Sequence, residues 1–238
     1  LIHAQRLGEW CGHAPVLEED LALTNLSLDL IGQARAVYTR AGALEGLGRD
    51  EDQYAFLRDE RDYRNPTIAE LPLRRGGADF ADTMARNLVL ATLMKGLWTR
   101  LLQSADSELA AIAGKAVKEA RYHQQHAADW VRRLGGGTAE SARRMQAAVD
   151  RLWPYVPELF ESDAIETAAA AAGLGPALAE LQADWQADID AVFAQAGLTQ
   201  PRLTTFRSTG KRGVHSEHMG YLLAEMQHLQ RAYPGGVW

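Results

Sequence analysis

Residues 79–134, DFADTMARNLVLATLMKGLWTRLLQSADSELAAIAGKAVKEARYHQQHAADWVRRL, decide the fold. Met84, Leu88, Val89, Leu93, Leu97, Leu101 and Leu102 recur at helical spacing, which predicts one helix from Asp79 to about Ala105. Asp79 can cap its free amides. A second helix follows almost at once, from Ser107 to Leu134, and Gly135-Gly-Gly offers the left-handed stop that a helix end favours. So short a link makes the two helices antiparallel.

Upstream, the spacing predicts the tail of a helix from Leu1 to about Cys11, stopped by Gly12 and Pro15, and a long helix from about Glu18 to Ala43. The long one carries Leu21, Leu28 and Ile31 with Leu23, Leu26, Leu30, Ala34 and Val37 beside them, a stripe wide enough for two neighbours. A longer connection, Gly46 to Gly77, holds a short helix near Asp50–Leu57 and the breakers Pro66 and Pro72. Short link, long crossover, short link is the connectivity of a ferritin-like four-helix bundle. Downstream, helical pieces are expected at Ser141–Trp153, Asp163–Ala172, Pro176–Ala196 and Ser216–Ala232. The reading is therefore all-α: one ferritin-like domain over 1–238, with bundle helices in 1–135 and a helical extension in 136–238.

Composition narrows the function. The chain has 238 residues, 47% of them hydrophobic, enough for a core without staples. A net charge of −6 argues against nucleic acid or anionic lipid as partner, since both reward clustered cations. A single cysteine, Cys11, makes no internal disulfide and reads as a small buried filler; no run resembles a signal peptide or spanning helix. A cytoplasmic setting follows as an expectation. The first residue is Leu within a helical pattern, so the native start is expected further upstream.

A di-iron centre in such a bundle needs four carboxylates and two histidines, with Glu-x-x-His on each of two helices. In KEARYHQQH, Lys118–His126, Glu119 has Tyr122 three positions on and His123 only at the fourth, a spacing that suits at most a lone ion. Thr83 to Ala105 offers no Asp, Glu or His, and on the earlier long helix Asp29 is followed three positions later by Gly32. Asp29, Glu119, Tyr122, His123 and His126 thus read as a polar stripe along a bundle seam rather than as ligands. No metal is assigned to this chain.

Four segments resemble a known family: QRLGEWCGHAP (5–15), LDLIGQAR (28–35), KEARYH (118–123), and TGKRGVHSEHMG with LLAEMQHLQR (209–231). They resemble the C-subunit family (PaaC) of the ring-1,2-phenylacetyl-CoA epoxidases. The resemblance implies a ferritin-like subunit without catalytic metal. It also implies pairing with a related subunit (PaaA) that carries the di-iron centre and binds the aromatic CoA thioester. A small further subunit and an iron-sulfur flavoprotein reductase would complete the assembly, which epoxidises the ring with oxygen and NADPH electrons. Glu225-Met-Gln-His228, a true Glu-x-x-His, departs from what the family leads one to expect.

Other constellations have two readings each. Gly210-Lys-Arg-Gly213 stands before a helix, where amides and two cations can hold a phosphate, or a basic loop can dock an acidic partner. It is not a Walker loop, because Thr205 stands at its first Gly and Arg212 replaces the Ser or Thr after the Lys. Lys211, Arg212, His215, Glu217 and His218 are the partner- or anion-binding candidates, with docking to another polypeptide of the assembly favoured over CoA. His218, Glu225 and His228 share a helix face that can bind a divalent ion, or Ser216 caps that helix and the histidines bond to a neighbouring polypeptide. Trp98, Trp130, Trp153 and Trp185 read as core or interface anchors, and Asp59–Tyr63 as a solvated charge run.

A noncatalytic scaffold subunit, sticky or self-associating when alone, is the leading expectation. The alternatives are a metal-binding ferritin-like oxidase using Glu119, Glu225 and His228, and a stand-alone ferritin-like homodimer.

Overall fold

The computed structural model describes residues 1–72 and 79–236. Eight α-helices carry the described chain: α1 (Ile2–Gly8), α2 (Leu17–Glu45), α3 (Phe80–Leu101), α4 (Ser107–Gly135), α5 (Ala139–Leu152), α6 (Ala164–Ala171), α7 (Gln182–Ala196) and α8 (Glu217–Ala232). Among the described residues the only β pairing is one bridge, Thr209 with Val214. The fold class is all-α, and the helix order is the ferritin-like one: helix hairpin, long crossover, helix hairpin. Gly77, the expected end of the crossover, lies outside the described residues. Two compact units emerge, Leu1–Pro72 with Ser208–Trp238, and Leu73–Arg207. They cut the chain differently from a division at residue 135.

In the first unit α1 packs along α2, and Ser27 Oγ donates to the Ala4 carbonyl at 2.8 Å. Leu23 and Leu26 of α2 are buried, but Leu17, Leu21 and Leu28 are 71%, 57% and 59% exposed. The wide apolar stripe read from the sequence is thus covered on one side only. The short helix expected near Asp50–Leu57 exists as a π-turn, Gln53–Leu57. Arg58 then fixes the crossover to α2, its guanidinium over the rings of Tyr63, Tyr38 and Tyr54 at 4.5, 5.2 and 5.8 Å. From α8, Met219, Leu222 and Leu223 pack with Ile2 and Tyr63 into a small core. The charge run is half as expected: Asp59 to Asp62 are exposed, whereas Tyr63 is buried.

In the second unit α3 and α4 pack closely together, and α5 and α7 lie against both. Asp79 caps α3 as expected, accepting from the amides of Ala81 and Asp82. The Asp82 carboxylate answers the Asp79 amide and takes a two-pronged bond from Arg151 of α5, at 2.9 and 2.7 Å. Every residue of α3 from Ala81 to Leu93 is buried, polar ones included.

The glycine stop of α4 differs from expectation. Gly136 has φ −88, and none of the three glycines adopts the left-handed conformation. They serve close approach instead. A Cβ on Gly135 would stand 2.4 Å from the Ala196 carbonyl oxygen of α7, and one on Gly137 would stand 2.7 Å from that of Arg133. Cys11 is exposed, not a buried filler, because α1 has already ended at Gly8 and the chain there turns over the surface.

Candidate functional site: a basic turn over a buried carboxylate–imidazole pair

The candidate site of the first unit is built from two segments far apart in sequence, residues 59–72 of the crossover and 208–218, which lead into the first turn of α8. Their contact requires two glycines. A Cβ on Gly210 would stand 2.6 Å from the Asn65 carbonyl oxygen and 2.8 Å from the Thr67 nitrogen, while the Gly210 amide donates to Thr67 Oγ1 at 3.0 Å. Gly213 has φ +77, and a Cβ there would meet the Arg61 carbonyl oxygen at 2.4 Å and Arg64 Nη1 at 3.1 Å.

Beneath this turn lies Glu70, completely buried. Its Oε2 accepts from His215 Nδ1 at 2.7 Å and from Asn65 Nδ2 at 3.0 Å, and its Oε1 accepts from the Ser216 amide at 2.5 Å. The His215 side chain is equally enclosed, with 0% exposure, and its Nε2 donates to the Tyr63 carbonyl at 3.1 Å. A carbonyl oxygen can only accept, so Nε2 carries a proton, and the Nδ1 proton is shared with Glu70. Burial opposes the charged ring, but the hydrogen bond and charge of Glu70, with the Tyr63 carbonyl, outweigh it and raise the His215 pKa. Arg6 of α1 completes the assembly, donating from Nε to the Glu70 carbonyl at 2.8 Å and from Nη2 to the His218 carbonyl at 3.0 Å.

The cap of α8 differs from the sequence reading. Ser216 occupies the N-cap position, but its hydroxyl makes no capping bond. Glu70, far away in sequence, takes the Ser216 amide and sets its negative charge at the positive end of the helix. Local spacing gives no sign of this, and sequence reasoning missed Glu70, Asn65, Arg6 and Arg58 alike. The available signal was weak: a lone acid between two prolines, where Pro66 and Pro72 flank Glu70.

Above the pair the turn itself is basic, while the exposed acids Asp59, Glu60, Asp62 and Glu217 lie on the same two segments. Arg61, Arg64 and Arg212 are exposed and Lys211 is half-buried, brought to one turn by Gly213. The amides of Arg212, Gly213 and Val214 are bonded within the turn to the carbonyls of Thr209 and Gly210. They are therefore not available to cradle a phosphate, which leaves side-chain cations as the chemistry of this face. Glu217 is exposed and His218 half-buried, whereas His215 supports the turn from inside. Glu225 and His228 are exposed on α8, and His228 borders a groove of about 570 Å³ with Asp59, Glu60 and Arg231.

The polar stripe divides between the units. Asp29 is half-buried on α2 in the first. In the second, α4 sets the Tyr122 ring 6.3 Å from both His123 and His126, with His123 buried and Tyr122 exposed. Glu119 pairs with Lys115 at 3.5 Å. Among the described residues no three His, Cys, Asp or Glu side chains converge to hold a metal ion. Nor is any helix among them long and apolar enough to cross a membrane.

Comparison with known proteins places these features. The family model described as "Phenylacetic acid catabolic protein" matches residues 1–238. The C subunit of the 1,2-phenylacetyl-CoA epoxidase of Escherichia coli (strain K12) is 47% identical over 238 residues, covering 100% of this chain and 94% of that protein. The resemblance carried by residues 5–15, 28–35, 118–123 and 209–231 extends from end to end. A fold in two helix hairpins and a full-length match lead to one statement: the chain belongs to the phenylacetic acid catabolic protein family.

Proposed function

We propose that this chain is a noncatalytic member of a cytoplasmic, multi-subunit monooxygenase that epoxidises the ring of phenylacetyl-CoA. In this reading it pairs with a related subunit that carries the di-iron centre and binds the CoA thioester, and it works beside a small further subunit and an iron-sulfur flavoprotein reductase. The observation that carries the reading is the full-length 47% identity to a protein named as the C subunit of such an epoxidase.

Two features support a scaffold role. Leu17, Leu21 and Leu28 form an exposed apolar stripe on α2, at positions i, i+4 and i+11 of one helix face. Obligate pairing buries about 2,000 Å² or more of mainly apolar surface, and such a stripe suits the centre of an interface of that kind. The basic face around Gly213 suits electrostatic docking of an acidic partner surface, with Lys211, Arg212, Glu217 and His218 as contacts. The chain's contribution to the chemistry is geometric: a rigid helical partner holds its neighbour's ligand helices in place, where a shift of about 1 Å can cost about 100-fold in rate.

The test is reconstitution. The chain is co-expressed with the neighbouring subunits, and iron content and ring epoxidation are measured with and without it. The expected result is a complex whose iron resides in the related subunit and whose activity requires this chain. Stoichiometric iron in this chain alone, lost in Glu119→Ala, would favour an oxidase. A stable lone dimer that captures none of the neighbouring subunits would favour the stand-alone form.

A further inference from the structure

The groove of about 570 Å³ in the first unit has α8 as its floor and the crossover as its wall. Gly220, Ala224 and His228 line the floor, and Arg231, paired with Asp59 at 3.1 Å, closes one end. Glu60 stands at the other end, where a Cβ on Gly220 would lie 3.3 Å from its Oε2. Arg231 uses Nε and Nη2 for the carbonyls of Phe56, Leu57 and Arg58 and for Asp59, which leaves Nη1 for a further acceptor. Among the described residues neither Glu60 nor Glu217 has an ion pair, and Glu217 is exposed in the first turn of α8.

The outward residues of α8 form a pattern that reads alike from either end. Glu217, Gly220, Ala224, His228 and Arg231 follow at spacings of three, four, four and three, so they share one helix face with Ala224 in the middle. The acid and the cation stand seven residues either side of Ala224, and the glycine and the imidazole four residues either side. Laid antiparallel on a second copy, Ala224 against Ala224, this face is its own complement. Glu217 meets Arg231 of the copy, and His228 of the copy enters the space over Gly220, beside Glu60. Tyr221, 70% exposed, flanks the contact and reaches Glu225 of the copy, which can accept its hydroxyl proton. The small side chains at 220 and 224 let the two axes come close. A pattern symmetric in spacing and opposite in charge is what a twofold axis requires, and an unrelated partner does not require it.

We infer that this groove takes α8 of a second copy of this chain, antiparallel across a twofold axis at Ala224. The inference concerns the first unit alone and does not rest on the function proposed above. Glu217, an acid beside the basic turn, finds its cation here. Sedimentation velocity on the full-length chain is expected to show a monomer–dimer equilibrium in the micromolar range. Ala224→Glu sets two carboxylates against each other at the axis and is expected to weaken the dimer about 100-fold. Glu217→Arg is expected to weaken it about tenfold through its two symmetric contacts. Both positions are exposed, and circular dichroism melts confirm that the variants fold. Cross-linking reads the register. With the exposed Cys11 removed by Cys11→Ser, Ala224→Cys is expected to form an intermolecular disulfide, because the axis brings the twin residues together. Ala232→Cys is expected not to, since at 1.5 Å per residue its twins lie about 24 Å apart. A chain that stays monomeric up to millimolar concentration would overturn the inference, as would a dimer indifferent to Ala224→Glu or cross-linked equally well at both positions. A monomeric chain whose Ala224→Glu variant loses a co-expressed subunit would assign the groove to that subunit instead.

Discussion

Glu70 and His215 stand 145 positions apart and meet side chain to side chain, Oε2 to Nδ1 at 2.7 Å, with both side chains fully enclosed. Removing one partner of such a pair leaves a buried charge without compensation. Glu70→Ala is expected to cost about 3–5 kcal/mol of stability in chemical denaturation. An unchanged unfolding midpoint would show that the pair does not hold α8 to the crossover.

The same pair predicts a pH dependence. The folded pKa of His215 is raised above its unfolded value of about 6.5, so its stabilising contribution is complete below that pH. The contribution is lost as pH rises through the folded value. Melting temperatures taken across the neutral to mildly alkaline range should fall for the natural chain, and the fall should be shallower for His215→Gln. Parallel curves would assign the dependence to other groups.

The α2 stripe separates stability from association. Leu21 and Leu28 are exposed, so Leu21→Ser with Leu28→Ser should shift the stability of the lone chain by no more than about 0.5 kcal/mol for each change. Size-exclusion chromatography of the co-expressed subunits should nonetheless show loss of the complex. Retention of the full complex would place the pairing face elsewhere.

Charge reversal probes the basic turn. Arg64→Glu with Arg212→Glu should slow association with an acidic partner about tenfold at low salt, and the deficit should shrink as salt rises. Surface plasmon resonance at two salt concentrations reads both effects. A deficit that ignores salt would point to a folding defect instead.

The helix α4 tests a packing claim. Gly135→Ala forces a methyl group toward the Ala196 carbonyl, and overpacking of that kind costs about 1–3 kcal/mol. Gly136→Ala, with φ −88, should cost less, and equal costs would contradict the close approach of α4 and α7.

Much of the fold was legible because helical periodicity is local. The limits of α3, α4 and α8 read from the sequence lie within a few residues of those observed, and Asp79 caps α3 as its chemistry suggests. What was illegible depends on contacts across long spans. Glycine after a helix fits a left-handed stop, yet at Gly135 the neighbour that excludes a side chain is Ala196, whose approach no local pattern records. Ser216 had the right type and place for a cap, but Glu70 took its amide. The cations of 211–212 were visible, but their union with Arg61 and Arg64 was not, because the turn at Gly213 closes against the crossover only in the folded chain.

The dependence of the α8 start on Glu70 also orders events at the ribosome. When Glu70 emerges, its histidine is still 145 codons away, about 7 to 30 seconds at ordinary rates of synthesis. Throughout that interval the Glu70 carboxylate lacks both its imidazole and the Ser216 amide, and the basic turn does not yet exist. A partner that recognises the turn would therefore meet the chain only after residue 215 has been made, long after the crossover has been synthesised.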